Sequence, residues 1–198
     1  RACIEDWVGG FALVIWGDRV HRAFCARDRM GIRPFHYHFN GKTLAFASEL
    51  HPILALPWVP EVQNKGMLAE FLTMQLYSRD ETLWSGIMRL VAAHAMVVKR
   101  EGITLNHYWY PDFAAVPAYT SDEEYIEHYR ELVTDSVRRL SRSHKPVAIE
   151  VSGGLDSSAI FCLAEQLRLA GRLPAPQIEG YTLDFTEDDT ANELEYAR

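Results

Sequence analysis

One stretch, Ser152-Gly-Gly-Leu-Asp-Ser-Ser158, breaks two apolar runs and constrains the second half of the chain more than any other feature. PVAIEV precedes it, ending at Val151, and AIFCLAEQLRLAG follows, ending at Gly171. The first run is short, β-branched and apolar, the pattern of a buried strand. The second has helical length and stops on a glycine. IEGYTLDF then reads as a second strand, and ANELEYAR as the start of another helix. Strand, helix, strand in this order predicts a right-handed βαβ unit and a parallel sheet. A strand entering a glycine-rich turn and then a helix is a phosphate-binding design. Glycines let the backbone approach an anion, and the helix start offers free N–H groups and the positive end of the dipole. Serine hydroxyls add donors. Asp156 would repel phosphate unless a divalent cation lay between them, and carboxylate plus phosphate oxygens is the usual magnesium arrangement. The stretch is not the Walker loop, which needs Lys before Ser/Thr, nor the dinucleotide fingerprint, whose glycines are spaced differently.

The first half has a different period. GGFALVIWGDRVHRAFCARD holds two apolar runs joined at Gly17–Asp18, and PFHYHFNGKTLAFASE holds two more joined at Asn40–Gly41. Both junctions are hairpin signals, so consecutive antiparallel strands are expected from Gly10 to Ser48. A short helix is expected in SELHPILAL, stopped by Pro57. Met67, Leu68, Phe71, Leu72 and Leu76 have helical spacing. HAMVVKREGITLNHYW returns to strand, turn and strand, bending at Glu101–Gly102. YPDFAAVPAYT, with two prolines and no period, reads as a linker. Ser121-Asp-Glu-Glu124 is a capping box opening a long helix, with Tyr125, Tyr129, Leu132, Val133, Val137 and Leu140 on one face. Two domains are therefore expected, an antiparallel one over residues 1–110 and, after the linker, an α/β one over residues 111–198.

Charge and cysteine usage narrow the function classes. The formal charge is −7 with no long basic run, which argues against a non-specific nucleic-acid surface. Cys3, Cys25 and Cys162 are odd in number and widely spaced, which argues against a disulfide scaffold or zinc site and for a reducing cytoplasm. No signal peptide or membrane-spanning run is present. Cys3 reads as an ordinary thiol. Arg27 and Asp28 read as a buried pair fixing a strand end. His36, His38 and His51 lack a further carboxylate or cysteine at ligand spacing, and no metal is expected there. His94 reads as structural, and Glu187-Asp188-Asp189 as a solvated loop.

Ser152–Ser157 resembles the SGGxDS pyrophosphate loop of the ATP pyrophosphatases. GGFALVIWGD, FCARDRMGIRPFHY and LAFASEL resemble the last strands of a class II glutamine amidotransferase domain, and ETLWSGIMRLVAAHAMVV with Tyr108–Trp109 resembles its following segment. ANELEYAR resembles a D-E-x-x-x-A-R motif. In this order the motifs resemble the asparagine synthetase family along essentially the whole chain. The resemblance implies the C-terminal part of an Ntn-type α+β amidotransferase domain with antiparallel sheets. An α/β parallel-sheet ATP-pyrophosphatase domain, adenine nucleotide alpha hydrolase-like, would follow it, all as a fragment of a longer protein. The glutaminase nucleophile, an N-terminal cysteine, would lie upstream. The family's chemistry would release ammonia from glutamine, use ATP to convert the aspartate side-chain carboxylate to an acyl-adenylate and pyrophosphate, and yield amide and AMP. By the same resemblance Ser152, Gly153, Gly154, Ser157 and Ser158 would cradle the phosphates, Asp156 would hold Mg2+, and Val151 and Leu183 would flank the adenosine. Its partners would be ATP, glutamine and aspartate or another carboxylate, in a cytoplasmic protein that could be a homodimer, with no nucleic acid or membrane. The chain departs from the family at Val91-Ala92-Ala93, where Pro-Pro-Gly is usual, at Asp18, displaced from its place after Trp16, and at Asn192, for Asp. These departures point to a divergent member. The alternative readings are a β-lactam synthetase or lasso-peptide macrocyclase using an internal amine, and a non-catalytic nucleotide-binding relative. The intact SGGLDSS argues against the last.

Overall fold

Short apolar runs separated by turn residues in the first half form antiparallel sheets. The computed structural model describes residues 2–183, and the chain divides into two units, residues 1–114 and 115–198. The first contains, in chain order, the helical turn α1 (Ala2–Glu5), β1 (Ala12–Gly17), β2 (Arg22–Arg27), β3 (His36–Phe39) and β4 (Leu44–Ala47). After these come α2 (His51–Leu54), α3 (Lys65–Thr73), β5 (Met88–Arg89), β6 (His94–Lys99) and β7 (Gly102–His107). One antiparallel sheet has the order β1-β2-β6-β7 and the other β4-β3-β5. Ala23, Cys25, Met96 and Val98 of the larger sheet meet Phe35, Tyr37 and Leu90 in one core cluster. The alternate residues Phe24, Ala26 and Ala95 pack with Ile4, Phe11 and Tyr108 in another. β2 is therefore apolar on both faces because both are covered.

The expected run of consecutive strands needs correcting. β2 does not pair with β3; it pairs with β1 and β6, while β3 pairs with β4 and β5. The break lies at Asp28. Its buried carboxylate accepts the N–H groups of Phe11, Met30, Ile32 and Arg33 at 2.9–3.2 Å, which curls the chain out of the sheet. Arg27 and Asp28 are also not a mutual ion pair. Arg27 instead donates to the carbonyls of Gly31, Arg33 and Leu90 at 2.6–2.7 Å. Each fixes the strand end through backbone groups, the arginine holding oxygens and the aspartate holding N–H groups. The loops joining β1 to β2 and β3 to β4 are longer than two residues, whereas β6 and β7 are joined by Arg100 and Glu101 alone. Asn40 Oδ1 accepts from the N–H groups of Lys42 and Thr43, and a 3₁₀ turn, Asp18–Val20, joins β1 to β2. Asn64 caps α3, accepting from the N–H groups of Gly66 and Met67. That helix ends at Met74 in the left-handed region, so Leu76 falls outside it.

The second unit contains α4 (Asp122–Leu140), β8 (Val147–Glu150), α5 (Leu155–Leu169) and β9 (Ile178–Tyr181). β8 and β9 are parallel, with Val147 opposite Ile178 and Glu150 opposite Tyr181. Ser121 Oγ accepts the Glu124 N–H, but the Glu124 carboxylate reaches back to the Thr120 N–H, one residue before the expected partner. Val137, Ala164, Leu167 and Ile178 form the core, with Val133, Val147 and Phe161 against it. Tyr125, Tyr129, Leu132 and Leu140 on α4 are exposed. Of the predicted stripe, Val133 and Val137 enter this core and Tyr125 packs edge-on against Tyr119. ANELEYAR, Glu187-Asp188-Asp189 and Asn192 lie outside the described residues. No described helix is long and apolar enough to cross a membrane.

Candidate functional site

The chain leaves β8 at Val151, which is buried and still bonded across the sheet, its N–H donating to the Tyr181 carbonyl at 2.8 Å. The loop then turns through Gly153, whose φ of 90° lies in the left-handed half of conformational space, where side chains are disfavoured and glycine is not. Gly154 is the N-cap of α5 and provides no side-chain cap. A serine or aspartate at an N-cap is worth about 1 kcal/mol over alanine because it satisfies an orphan N–H. Glycine leaves the first-turn donors of Leu155, Asp156 and Ser157 with no intrahelical acceptor and no side chain across them. An anion could accept from them.

Two hydroxyls hold this turn in shape. Ser157 Oγ lies 3.1 Å from Ser152 Oγ and accepts the Ser152 N–H at 3.1 Å. The Gly154 N–H donates to Ser152 Oγ at 3.3 Å. The Ser158 N–H donates to the Gly154 carbonyl at 3.2 Å, starting the helical ladder. Asp156, in the first turn of α5, is exposed and makes no hydrogen bond or ion pair among the described residues. Its oxygens are free to take a hard divalent cation, the donor type such an ion prefers. The loop thus brings together Ser152, Gly153, Gly154, Asp156, Ser157 and Ser158, with Val151 at its root. Leu183, 63% exposed, lies two residues past the end of β9. Thr182, between them, donates from Oγ1 to the Val151 carbonyl at 2.8 Å. Sequence reasoning missed this threonine because a single Thr after a strand carries no motif.

The other candidates are elsewhere. His36 Nδ1 lies 3.0 Å from the Ser48 carbonyl and His38 Nδ1 2.8 Å from that of Gly86. His94 stacks on His107 with ring centroids 4.4 Å apart. Desolvation, with His94 alongside, lowers the pKa of His107. Among the described residues no three His, Cys, Asp or Glu are grouped to hold a metal. Burial pushes the Cys25 thiol up to about 12, so it stays protonated and inert. Asp28 combines opposed effects. Burial raises its pKa, but the N–H donors of Arg33, Ile32, Phe11 and Met30 together outweigh this and hold it below the usual value.

The first unit is thus built of antiparallel sheets with short helices, and the second of a parallel strand–loop–helix–strand unit. Residues 1–109 match the family model of the glutamine amidotransferase domain, and residues 128–198 match that of asparagine synthase. Asparagine synthetase [glutamine-hydrolyzing] 3 of Bacillus subtilis is 31% identical over 94% of this chain and 30% of its own length. Asparagine synthetase [glutamine-hydrolyzing] 1 of the same organism is 27% identical over 96% of this chain and 28% of its own. Amidase chry2 of Gibberella zeae is 30% identical over 96% of this chain and 29% of its own. The chain belongs to the glutamine-hydrolysing asparagine synthetase family. It spans about 30% of the length of these relatives.

Proposed function

We propose that the protein carrying this chain is an ATP-dependent amide-forming ligase of the asparagine synthase type. It adenylates the aspartate side-chain carboxylate and passes glutamine-derived ammonia to it, releasing AMP and pyrophosphate. The observation that carries this reading is the Ser152–Ser158 loop, with its positive-φ Gly153, uncapped α5 start and an exposed Asp156 carboxylate that has no partner among the described residues. In it Ser152, Gly153, Gly154, Ser157 and Ser158 cradle the phosphates, and Val151 and Leu183 flank the adenosine. Asp156 would hold Mg2+, which supplies positive charge against the leaving pyrophosphate. The chain's own contribution is electrostatic preorganisation. N–H donors fixed by the loop are already aimed where negative charge accumulates, so little reorganisation is needed as the bond breaks.

Asp156→Asn tests this reading, because it removes the charge and keeps the shape. The expected result, in an ATP–pyrophosphate exchange assay on the intact protein, is a loss of about a hundredfold or more, the effect of removing one transition-state contact worth about 3 kcal/mol. Exchange at the unsubstituted rate would refute the assignment. Two similar proteins are named amidases and not for asparagine, and a second reading is that the same loop activates a carboxylate other than aspartate, possessed by another small molecule or by a substrate that carries its own amine. Exchange that aspartate fails to stimulate and another carboxylate does would select it.

A further inference from the structure

The Ser152–Ser158 loop leaves the carboxyl end of β8, and ligands of open parallel sheets bind outside such ends. The pairing continues for one residue after β8, through the Val151 N–H to the Tyr181 carbonyl. Among the described residues the backbone ladder stops there. The Val151 carbonyl is taken instead by a side chain, Thr182 Oγ1, at 2.8 Å. Both peptide groups of Val151 are thus held by consecutive residues of the other strand, Tyr181 through its backbone and Thr182 through its hydroxyl. Val151 is buried and Thr182 half-buried, so water competes poorly for this bond. The next peptide along one strand begins the Ser152–Ser158 loop, and the next residue along the other is Leu183.

We propose that Thr182 is a positioning residue for the nucleotide site, tying the first peptide of the phosphate loop to the backbone that leads into Leu183. The inference rests on the functional reading above and adds a residue to it. A serine-rich loop with a glycine at positive φ has many accessible conformations, and each non-binding one that is populated when ATP arrives costs affinity. The Ser152–Ser157 hydroxyl bridge limits the loop at its helix side. The Thr182 bond limits it at its strand side. Because the threonine holds Val151 and not the substrate, its loss should weaken ATP binding and leave the chemical step largely alone.

Three variants of the intact protein test this. Thr182→Val keeps the β-branched shape and removes the donor, and Thr182→Ser keeps the donor. Thr182→Ala replaces the valine if that variant is too unstable to assay. The readouts are ATP affinity by titration, KM and kcat in ATP–pyrophosphate exchange, and amide hydrogen exchange of Ser152–Gly154 without nucleotide. The expected result for Thr182→Val is an ATP affinity weaker by about tenfold, the size of one net hydrogen bond. KM should rise in proportion, kcat should stay within about twofold, and the loop amides should exchange faster, with Thr182→Ser close to the unsubstituted protein throughout. Unchanged affinity and unchanged amide exchange in Thr182→Val would overturn the proposal. So would a fall in kcat alone, or a serine variant as impaired as the valine one. If the unsubstituted protein performs no exchange, the functional reading falls and takes the role in ATP binding with it. If it does and Thr182→Val matches it, only the role of Thr182 falls.

Discussion

Asp28 shows how much one side chain can organise. Its two oxygens collect four backbone N–H groups from both sides of the strand end, and the net effect is a carboxyl held below its usual pKa despite burial. A depressed folded pKa stabilises the protein above the unfolded value, about 3.9 for aspartate, and the contribution is lost as pH falls through the folded value. The first unit should therefore lose stability on the acid side of about pH 4. Asparagine at this position keeps the size but turns one acceptor oxygen into a donor facing N–H groups. Asp28→Asn is expected to cost about 3 kcal/mol at neutral pH, from hydrogen bonds to a charged group and a clash of donors. It should also remove part of the acid dependence. Denaturant titrations of both proteins between neutral pH and pH 3 would show it, and a variant as stable and as acid-sensitive as the original would contradict the carboxylate's role. The sequence offered Arg27 and Asp28 as a pair because adjacent opposite charges look like partners. Successive residues on a strand point to opposite faces, and here each finds backbone groups on its own side.

Elements were legible where the period was clean and obscure where a turn decided their ends. β6, β7, α4 and the β8–α5–β9 order follow from apolar spacing alone. β5 is only Met88–Arg89, too short to carry a period. The end of α3 was misplaced because Leu76 continues the apolar spacing, yet the backbone turns left-handed at Met74, with φ of 56°. A left-handed non-glycine residue costs about 1–2 kcal/mol, and glycine in its place gives back about 0.4–1 kcal/mol through the freer unfolded chain. Met74 is 83% exposed, so no packing is lost. Met74→Gly is expected to stabilise the first unit by about 0.5–1 kcal/mol. Ala93 has the same backbone, with φ of 58°, at the position where the family has glycine. It is buried, and losing its methyl costs about 0.8 kcal/mol, so Ala93→Gly should be near neutral. Unfolding midpoints of the two variants, measured side by side, decide the matter; the opposite ranking would mean backbone strain does not govern these two turns.

At the scale of the whole molecule, the family was readable because its motifs stand in a fixed order along the chain, and the loop because a strand, two glycines and a helix start follow one another directly. What could not be read was the support around them, the Ser152–Ser157 hydroxyl bridge and the Thr182 bond, which depend on which strands lie together. The two units also differ in a way that allows them to be followed separately. All five tryptophans, Trp7, Trp16, Trp58, Trp84 and Trp109, lie in the first. Intrinsic tryptophan fluorescence therefore reports the first unit, and nucleotide titration tests the binding proposed for the loop of the second. Gly153→Val places a β-branched side chain at a φ of 90°, where even a simple L-residue is strained by 1 kcal/mol or more. The loop must either deform or hold a bulky group against the incoming phosphates. Since 1.4 kcal/mol is a factor of ten in affinity, ATP binding should weaken by at least about tenfold, while the tryptophan-monitored melt stays where it was. Gly153→Ala, with the smaller side chain, should fall between. ATP binding at the original affinity in the valine variant would show that close backbone approach at Gly153 is not required. A shifted tryptophan melt would show that the two units do not fold independently.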